Sequence, residues 1–324
     1  MKYVITGGCG FIGRALSSLL LNDEDNFVRV YDNLSTGKAE SLSSVGEYKE
    51  LFLGQGNFEW LDRYSLVVGD ILNPEGISEA FSGADIVVHL AANTGVPQSV
   101  IDPIKDCNTN VIGTLNVLEG ARHKGVGRFI FASSGAPLGV QNPPLHEEMA
   151  AHPASPYGAS KLAGEGYCSA YFHCFGLETV VLRFGNVYGQ GSGQKQSVVA
   201  KFIKEAMSGE TLEIYGDGSQ TRDFIHISDL TEAILCATQS AGVGGEVFQI
   251  ASASETTVEQ LTSILVEILE SEGVNVEGVI NGATRQGDVL RNFSDTSKAE
   301  SRLGWKSKVS LRDGLRQTVR DFLK

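Results

Sequence analysis

Lys2-Tyr3-Val4-Ile5-Thr6-Gly7-Gly8-Cys9-Gly10-Phe11-Ile12-Gly13 is the stretch on which the fold turns. A short β-branched run leads into glycines at 7, 10 and 13, and the amphipathic stretch Phe11–Leu21 follows at once. Strand, glycine turn and helix in that order make a cradle for a phosphate. Gly7 permits the tight turn, Gly10 lets backbone approach a pyrophosphate, and Gly13 lets helix pack on strand. The helix N-terminus adds amide donors and the positive end of its dipole. Such a triplet alone also arises from ordinary loop glycines, so its surroundings must decide.

Working outward, Val28-Arg29-Val30-Tyr31-Asp32 reads as a second strand ending on a carboxylate, about 20 residues past the last glycine. A carboxylate there accepts both adenosine ribose hydroxyls and repels a 2′-phosphate, which favours NAD over NADP. Arg29 and Lys38 read as solvated surface charges. Gly69-Asp70-Ile71 follows a third strand, where Asp70 either meets the adenine amine or caps a turn. His89-Leu90-Ala91-Ala92 closes a fourth strand with small residues that let the chain pass close to a dinucleotide, and His89 itself reads as a packed strand residue.

Strand-like runs at Lys2–Thr6, Phe27–Tyr31, Leu66–Val68, Ile86–His89, Phe129–Ala132 and Thr179–Arg183 alternate with helical patterns at Phe11–Leu21, Ile104–His123 and Ala159–Phe175. That alternation predicts an α/β, doubly wound parallel sheet of Rossmann type, whose ligands lie beyond the carboxyl ends of the strands. Past residue 185 the pattern changes. Gly189-Gln190-Gly191-Ser192-Gly193 is loop chemistry, and Val198–Met207, Val258–Leu269 and Leu311–Leu323 read as helices. Thr211–Gly218 reads as a strand running into a turn. Phe224–Ile227 and Glu246–Ile250 read as returns to the main sheet. The expected division is a dinucleotide domain of residues 1–184 with 224–250, and a smaller discontinuous α/β lobe of 185–223 with 251–324. No internal repeat or low-complexity tract interrupts it.

The 324 residues carry 26 Lys+Arg against 39 Asp+Glu, a formal net charge of −13, which argues against a nucleic-acid partner. The 42% hydrophobic content is enough for a sizeable core. No apolar run approaches the roughly 20 residues that span a bilayer, and the N-terminus enters a strand without a long apolar signal core. The five cysteines contain no CxxC and the six histidines no HExxH, so no metal is expected and the thiols read as reduced, in a cytoplasm.

Tyr157-Gly158-Ala159-Ser160-Lys161 sets a phenol and an ammonium at i and i+4, on one helix face. A free phenol, with a pKa of about 10, is a poor base at neutral pH. A nearby ammonium, with a positively charged nicotinamide ring, would lower it and make a phenolate accessible. Ser133-Ser134 stands just past the fifth strand, pointing at the same place, where a hydroxyl can hold the substrate oxygen that exchanges the proton. A protein that only sensed a dinucleotide would have no use for such a phenol.

With these residues in view, the chain resembles the extended short-chain dehydrogenases/reductases, and among them the nucleotide-sugar 4-epimerases. The likeness runs along essentially the whole length: GGCGFIG, VYDNLSTG, GDI, HLAA, NTNVIGT, FASSG, YGASK, LRFGNVYGQG, GDGSQTRDFIHISDL and RQGDVLRNFSDTSKAESRLGW. It implies Tyr157 as catalytic base, Lys161 as its partner and nicotinamide-ribose ligand, and Ser134 as the hydroxyl on the reacting oxygen. It implies cofactor contacts at Gly7, Gly10, Phe11, Ile12, Gly13, Asp32, Asn33, Asp70, Ile71, Leu90, Ala91 and Ala92, with Asn110 a mainly structural neighbour. On the substrate side it implies Arg222 and Arg285 on a nucleotide diphosphate, Asp288 on the nucleotide ribose, Asn186 on the phosphate or sugar, and Asn292 beside the sugar. Two arginines suit a diphosphate because guanidinium gives fixed, bidentate donors. The helices near Ile104–His123 and Ala159–Phe175 are the ones relatives pair, which implies a homodimer.

Members of that family share a first step, oxidation at the sugar C4, and diverge afterwards. The dehydratases carry an Asp-Glu pair after the catalytic hydroxyl and the uronate decarboxylases a Glu, whereas here Ser134 is followed by Gly135-Ala136-Pro137. Without an acid to eliminate water, the remaining outcome is rotation of the keto sugar and return of the hydride, a 4-epimerisation. The implied substrates are UDP-glucose/galactose or UDP-N-acetylglucosamine/galactosamine, since Asn292 replaces a bulky Tyr and leaves room for an acetamido group. Alternatives are a dehydratase or reductase with acids supplied from elsewhere, or a uronate 4-epimerase, which Asn186 in place of a Thr disfavours. Ala136-Pro137-Leu138-Gly139 departs from the family's Val-Tyr-Gly, and is expected to reshape one wall of the sugar pocket.

Overall fold

The structure is a computed structural model that describes residues 1–56, 58–284 and 290–324. From the N-terminus, β1 (Lys2–Thr6) runs into α1 (Phe11–Leu21), then β2 (Phe27–Asp32), a short β3 (Lys49–Leu51), β4 (Tyr64–Val68), α2 (Pro74–Ala80) and β5 (Ile86–His89). Next come α3 (Val96–Ile101), α4 (Pro103–Cys107), a π-helical turn (Asn108–Ile112) and α5 (Gly113–His123), followed by β6 (Arg128–Ser134), α6 (Pro156–Phe175) and β7 (Glu178–Phe184). β8 (Asn186–Tyr188), α7 (Val198–Met207), β9 (Leu212–Tyr215), β10 (Thr221–Arg222) and β11 (Phe224–His226) lead to α8 (Ile227–Gln239) and β12 (Val247–Ile250). β13 (Thr256–Thr257), α9 (Val258–Ser271), β14 (Val279–Gly282), α10 (Ser297–Leu303) and α11 (Leu311–Phe322) complete the described chain.

Eight strands form one sheet in the order β12-β7-β6-β5-β1-β2-β4-β3, and every pairing in it is parallel. The order departs in both directions from β1, so the reversal lies between β1 and β5, where a doubly wound sheet opens its ligand crevice. Central strands are apolar on both faces because helices cover both. Leu16 and Leu20 of α1 join Leu230 and Ile234 of α8 on one side, and Val117, Leu118, Cys168 and Tyr171 fill the other. Full burial of a side chain such as Leu or Phe contributes roughly 1.5–3 kcal/mol. A separate cluster, including Tyr188, Phe202, Ile214, Leu261 and Leu315, lies between α7, α9, α11 and the small strands. No helix among the described residues is long and apolar enough to cross a membrane.

Two local expectations are corrected and a third is refined. Phe224–His226 is a strand, but it pairs in parallel with β8, Phe224 facing Asn186 and His226 facing Tyr188. The sheet edge it was expected to join is already taken, since β12 occupies the free side of β7. The stretch Ile104–His123 is helical as expected but widens into a π turn at Asn108–Ile112, where the Asn110 side chain is drawn inward to Asn93, Asp106 and Ser160. Arg29 is wholly buried rather than solvated. Its guanidinium donates to Ala80 O and Phe58 O, both at 2.9 Å, and stacks 4.0 Å from the Trp60 ring. With carbonyls as its acceptors, burial pushes its pKa down to about 10. Lys38 is exposed, as expected.

Candidate active site

Gly7 stands at φ +69°, and a Cβ there would lie 2.7 Å from Ala91 N. A Cβ on Gly13 would lie 2.4 Å from Gly8 Cα, so α1 packs on the loop only because residue 13 has no side chain. The cradle is thus built from backbone. Asp32, at the end of β2, braces it: one carboxylate oxygen accepts Cys9 N–H at 2.9 Å and the other Leu34 N–H at 2.8 Å. Burial pushes the Asp32 pKa up, and these amides pull it back.

A cleft of about 500 Å³ opens over the carboxyl ends of the strands. Its walls include Gly7, Gly10, Phe11, Ile12, Gly13, Asp32, Asn33, Ile71, Leu90, Ala91 and Ala92, and further along Ser134, Tyr157 and Asn186. A backbone cradle at a helix N-terminus, a carboxylate at the end of β2 and small residues on β5 together fit a dinucleotide. Asp70 stands aside from these walls, accepting Leu72 N–H at 2.8 Å and the Asn33 amide at 2.9 Å, a turn-capping arrangement. A second hollow, of about 480 Å³ between Leu21, Tyr48, Asp62 and Arg63, lies at the opposite end of the sheet and gathers no reactive pair.

Ser134 ends β6 and meets the start of α6. That helix begins where it does because Ser155 Oγ accepts Gly158 N–H at 3.1 Å and Pro156 fills a first-turn position. Tyr157 therefore stands at its open end. Burial pushes the Tyr157 phenol above its ordinary value, the Asp106 carboxylate adds to that, and a hydrogen bond with Ser134 draws it down. Lys161, one turn on, is only 4% exposed. Its ammonium donates to Ala132 O at 2.8 Å and lies 4.8 Å over the Phe131 ring. Burial lowers its pKa to about 8. The ammonium expected to act on the phenol is thus anchored to the strand, and within the protein Ser134 supplies the downward pull.

Behind these groups lies a layer that sequence reasoning did not single out. Glu165 accepts from Ser133 Oγ at 2.5 Å and from Arg183 at 2.9 and 2.7 Å. The available signal was spacing, since Glu165 stands at i+4 from Lys161. Asn110 holds Asn93 by a reciprocal pair, Asn93 N–H to its Oδ1 at 2.7 Å and its Nδ2 to Asn93 O at 2.9 Å. It reaches Ser160 Oγ at 3.1 Å but does not line the cleft. His89 is packed as expected. It lies between Thr6 Oγ1 at 2.7 Å and Thr114 Oγ1 at 3.0 Å, and burial drives its pKa down to about 3. Lys195 and the segment Ser35-Thr36-Gly37 also line the cleft without having been anticipated.

On the substrate side, Asn186 is exposed at the mouth, its N–H on Asp223 O at 2.8 Å. Arg222, on β10, lies outside the cleft walls, with a guanidinium N–H on Thr221 O at 2.7 Å. Asn292 donates its N–H to Thr221 Oγ1 at 3.2 Å, and its side-chain amide lies 3.9 Å from where a Cβ on Gly135 would be. It therefore faces the corner beside Ser134. Arg285 and Asp288 lie outside the described residues. The pocket wall expected at Ala136–Leu138 is a short turn whose Pro137 and Leu138 are buried, and neither lines the cleft. The turn lies against α6, where Gly158 passes so close that a Cβ would fall 2.6 Å from Ala136 O.

Fold and cleft together define a dinucleotide-dependent enzyme of the short-chain dehydrogenase/reductase type. The family model of NAD dependent epimerases/dehydratases matches residues 3–251, and the chain belongs to that family, with NAD as its cofactor. A UDP-glucose 4-epimerase from Mycolicibacterium smegmatis is 34% identical over 99% of this chain and 98% of its own. Among solved structures, a UDP-glucose 4-epimerase from Thermotoga maritima with UDP-glucose superposes with a TM-score of 0.85 at 36% identity, covering 100% of this chain and 99% of that one. A UDP-N-acetylglucosamine 4-epimerase from Methanobrevibacter ruminantium in complex with UDP-N-acetylmuramic acid gives 0.87 at 30% identity, covering 99% and 98%.

Proposed function

We propose that the protein interconverts C4 epimers of a UDP-sugar, UDP-glucose/galactose or UDP-N-acetylglucosamine/galactosamine, through a transient 4-keto sugar. The observation that carries this reading is the acid content of the cleft. Among its described lining residues the one carboxylate is Asp32, at the adenosine end and braced by two amides. Glu165 is spent on Arg183 and Ser133. Elimination of water needs an acid and a base at the sugar, and beside Ser134 and Tyr157 the described walls offer neither.

When bound, NAD would supply the hydride acceptor and donor that the chain itself lacks. The chain's own residues manage the proton. Tyr157 takes the proton of the 4-hydroxyl as a general base and gives it back as an acid, a contribution typically worth about 10²–10⁴-fold. Ser134, in the same cleft as Tyr157, holds the reacting oxygen. Lys161, held on Ala132 O one turn along the same helix, would serve the nicotinamide ribose, and a positively charged nicotinamide would draw the phenol toward phenolate. Gly7, Gly10 and Gly13 with Asp32 would hold the dinucleotide.

In this reading residues 1–184 with 224–250 carry the cofactor, and 185–223 with 251–324 carry the nucleotide sugar. Arg222 and Arg285 take the diphosphate, Asp288 the ribose and Asn186 the sugar side. Asn292 beside Gly135 is small enough to leave room for an acetamido group. The test is to incubate the enzyme with a panel of UDP-sugars and read the products by NMR. Formation of a 4-epimer with no accumulation of reduced cofactor supports the reading; a deoxy-keto sugar or a net oxidation overturns it.

A further inference from the structure

Lys195 is a cation that proton transfer at Tyr157 does not need. It sits on the loop between β8 and α7, mostly buried, and lines the same cleft as Phe11, Asn186 and Ser197. Its ammonium lies 4.9 Å from the centre of the Phe11 ring, the first residue of α1, and donates to Val187 O at 3.1 Å. No carboxylate pairs with it among the described residues, and burial alone pushes its pKa down to about 8. A largely buried ammonium with one carbonyl for company is costly unless something anionic arrives. This charge is also held in place. Arg14 donates to Gly191 O at 3.0 Å, Gly191 N–H to Asp321 at 2.7 Å and Lys204 to Lys195 O at 2.9 Å, so the loop is pinned between α1 and α11. Two residues on, the buried Ser197 hydroxyl has no partner.

We propose that Lys195 is a diphosphate-gripping residue, a fixed cation on the cleft wall beside the N-terminus of α1. The proposal deepens the epimerase reading and rests on it, because both ligands invoked there carry a diphosphate. A lysine suits this position as a compact point charge whose remaining donors can serve either phosphate. The net charge of −13 makes such a cation more necessary, since a dianionic ligand must enter an otherwise acidic molecule.

The test compares Lys195→Met, which keeps the apolar stem over Phe11, and Lys195→Arg, which keeps the charge, with the wild type. Calorimetric titration with UDP and with uridine isolates the diphosphate, and dinucleotide retained after dialysis reports the cofactor. Loss of one charge-assisted hydrogen bond is worth about 1.5–3 kcal/mol, or roughly 10- to 100-fold in affinity. The expected result for Lys195→Met is a loss of that size for UDP or for the dinucleotide, with uridine binding unchanged and Lys195→Arg close to wild type. A loss confined to UDP assigns the grip to the substrate, and one confined to the dinucleotide assigns it to the cofactor. Unchanged affinity for both overturns the proposal, as does uridine binding that falls in step with UDP, which would mean a collapsed loop. Should the Met variant fail to fold, Lys195→Gln, which can still donate to Val187 O, gives the same readout. A wild type that binds neither UDP nor dinucleotide would defeat the epimerase reading itself, whereas wild-type binding with indifferent variants defeats only this inference.

Discussion

Ser134 draws the Tyr157 phenol's pKa down, but burial outweighs it, so the phenol's surroundings push its pKa up rather than down. Replacing Tyr157 by Phe should leave the dinucleotide bound, because the cradle is backbone and Asp32, while slowing epimerisation about 10²–10⁴-fold. Single-turnover rates beside the cofactor content of the purified variant check this, and wild-type turnover would remove Tyr157 from the base role. His89 gives a pH prediction. Its folded pKa of about 3 lies below the ordinary 6.5, so between those values the unfolded chain binds the extra proton. Its contribution is intact above pH 6.5 and is lost as pH falls toward 3, with a slope of up to about 1.4 kcal/mol per pH unit. Urea unfolding from pH 7 to 4 should therefore show one proton less of uptake in His89→Gln than in wild type. At this scale the legible residues were those with local constraints: glycines next to a strand, a carboxylate at a strand end, a phenol and an ammonium at i and i+4. Arg29 was not legible, because what covers it, Phe58 and Trp60, comes from a segment about thirty residues downstream, a distance that carries no periodicity.

The element that fastens the catalytic helix to the sheet is the Glu165–Arg183 pair. It joins α6 to β7 with both side chains nearly buried, 5% and 6% exposed, and it also holds Ser133, next to Ser134. Glu165→Gln leaves a buried guanidinium without its counter-charge and should cost about 3–5 kcal/mol of stability, whereas removing both charges, as in Glu165→Leu with Arg183→Met, should recover most of it. Urea midpoints of the single and double variants decide this; equal losses would mean that the pair is not coupled. Strands and helices of the first half were legible from alternation between β-branched runs and amphipathic stretches. The partner of Phe224–His226 was not, because a strand's sequence shows what one face buries and not which edge is still free. The π turn at Asn108–Ile112 was hidden for a related reason. The Asn110 amide inside it bonds Asn93 and Ser160, which lie on other segments, and the local sequence does not display such partners.

For the whole molecule, the surface beside those helices asks for a partner. Val100, Ile101 and Ile104 are 62%, 82% and 70% exposed on α3 and α4, Ile112 is 45% exposed, and Tyr167 of the neighbouring α6 is 38% exposed. Monomers rarely leave a contiguous apolar area of more than a few hundred Å² in water. A net charge of −13 opposes self-association at long range, so a dimer would have to be held by apolar contact. A second copy related by a two-fold axis could cover the same patch on both chains at once. A homodimer through α4, α5 and α6 is the expected state, and light scattering at micromolar concentration should give twice the chain's 34.6 kDa. Ile101→Glu combined with Ile104→Glu should halve that mass while leaving the circular dichroism spectrum unchanged, since both side chains already face solvent in the single chain. A monomeric wild type rejects the assignment outright, and a dimer indifferent to both charges moves the interface elsewhere. Because Tyr157 and Asn110 stand on the segments that would be covered, the charged variant should also be less active than the wild type while keeping its secondary structure.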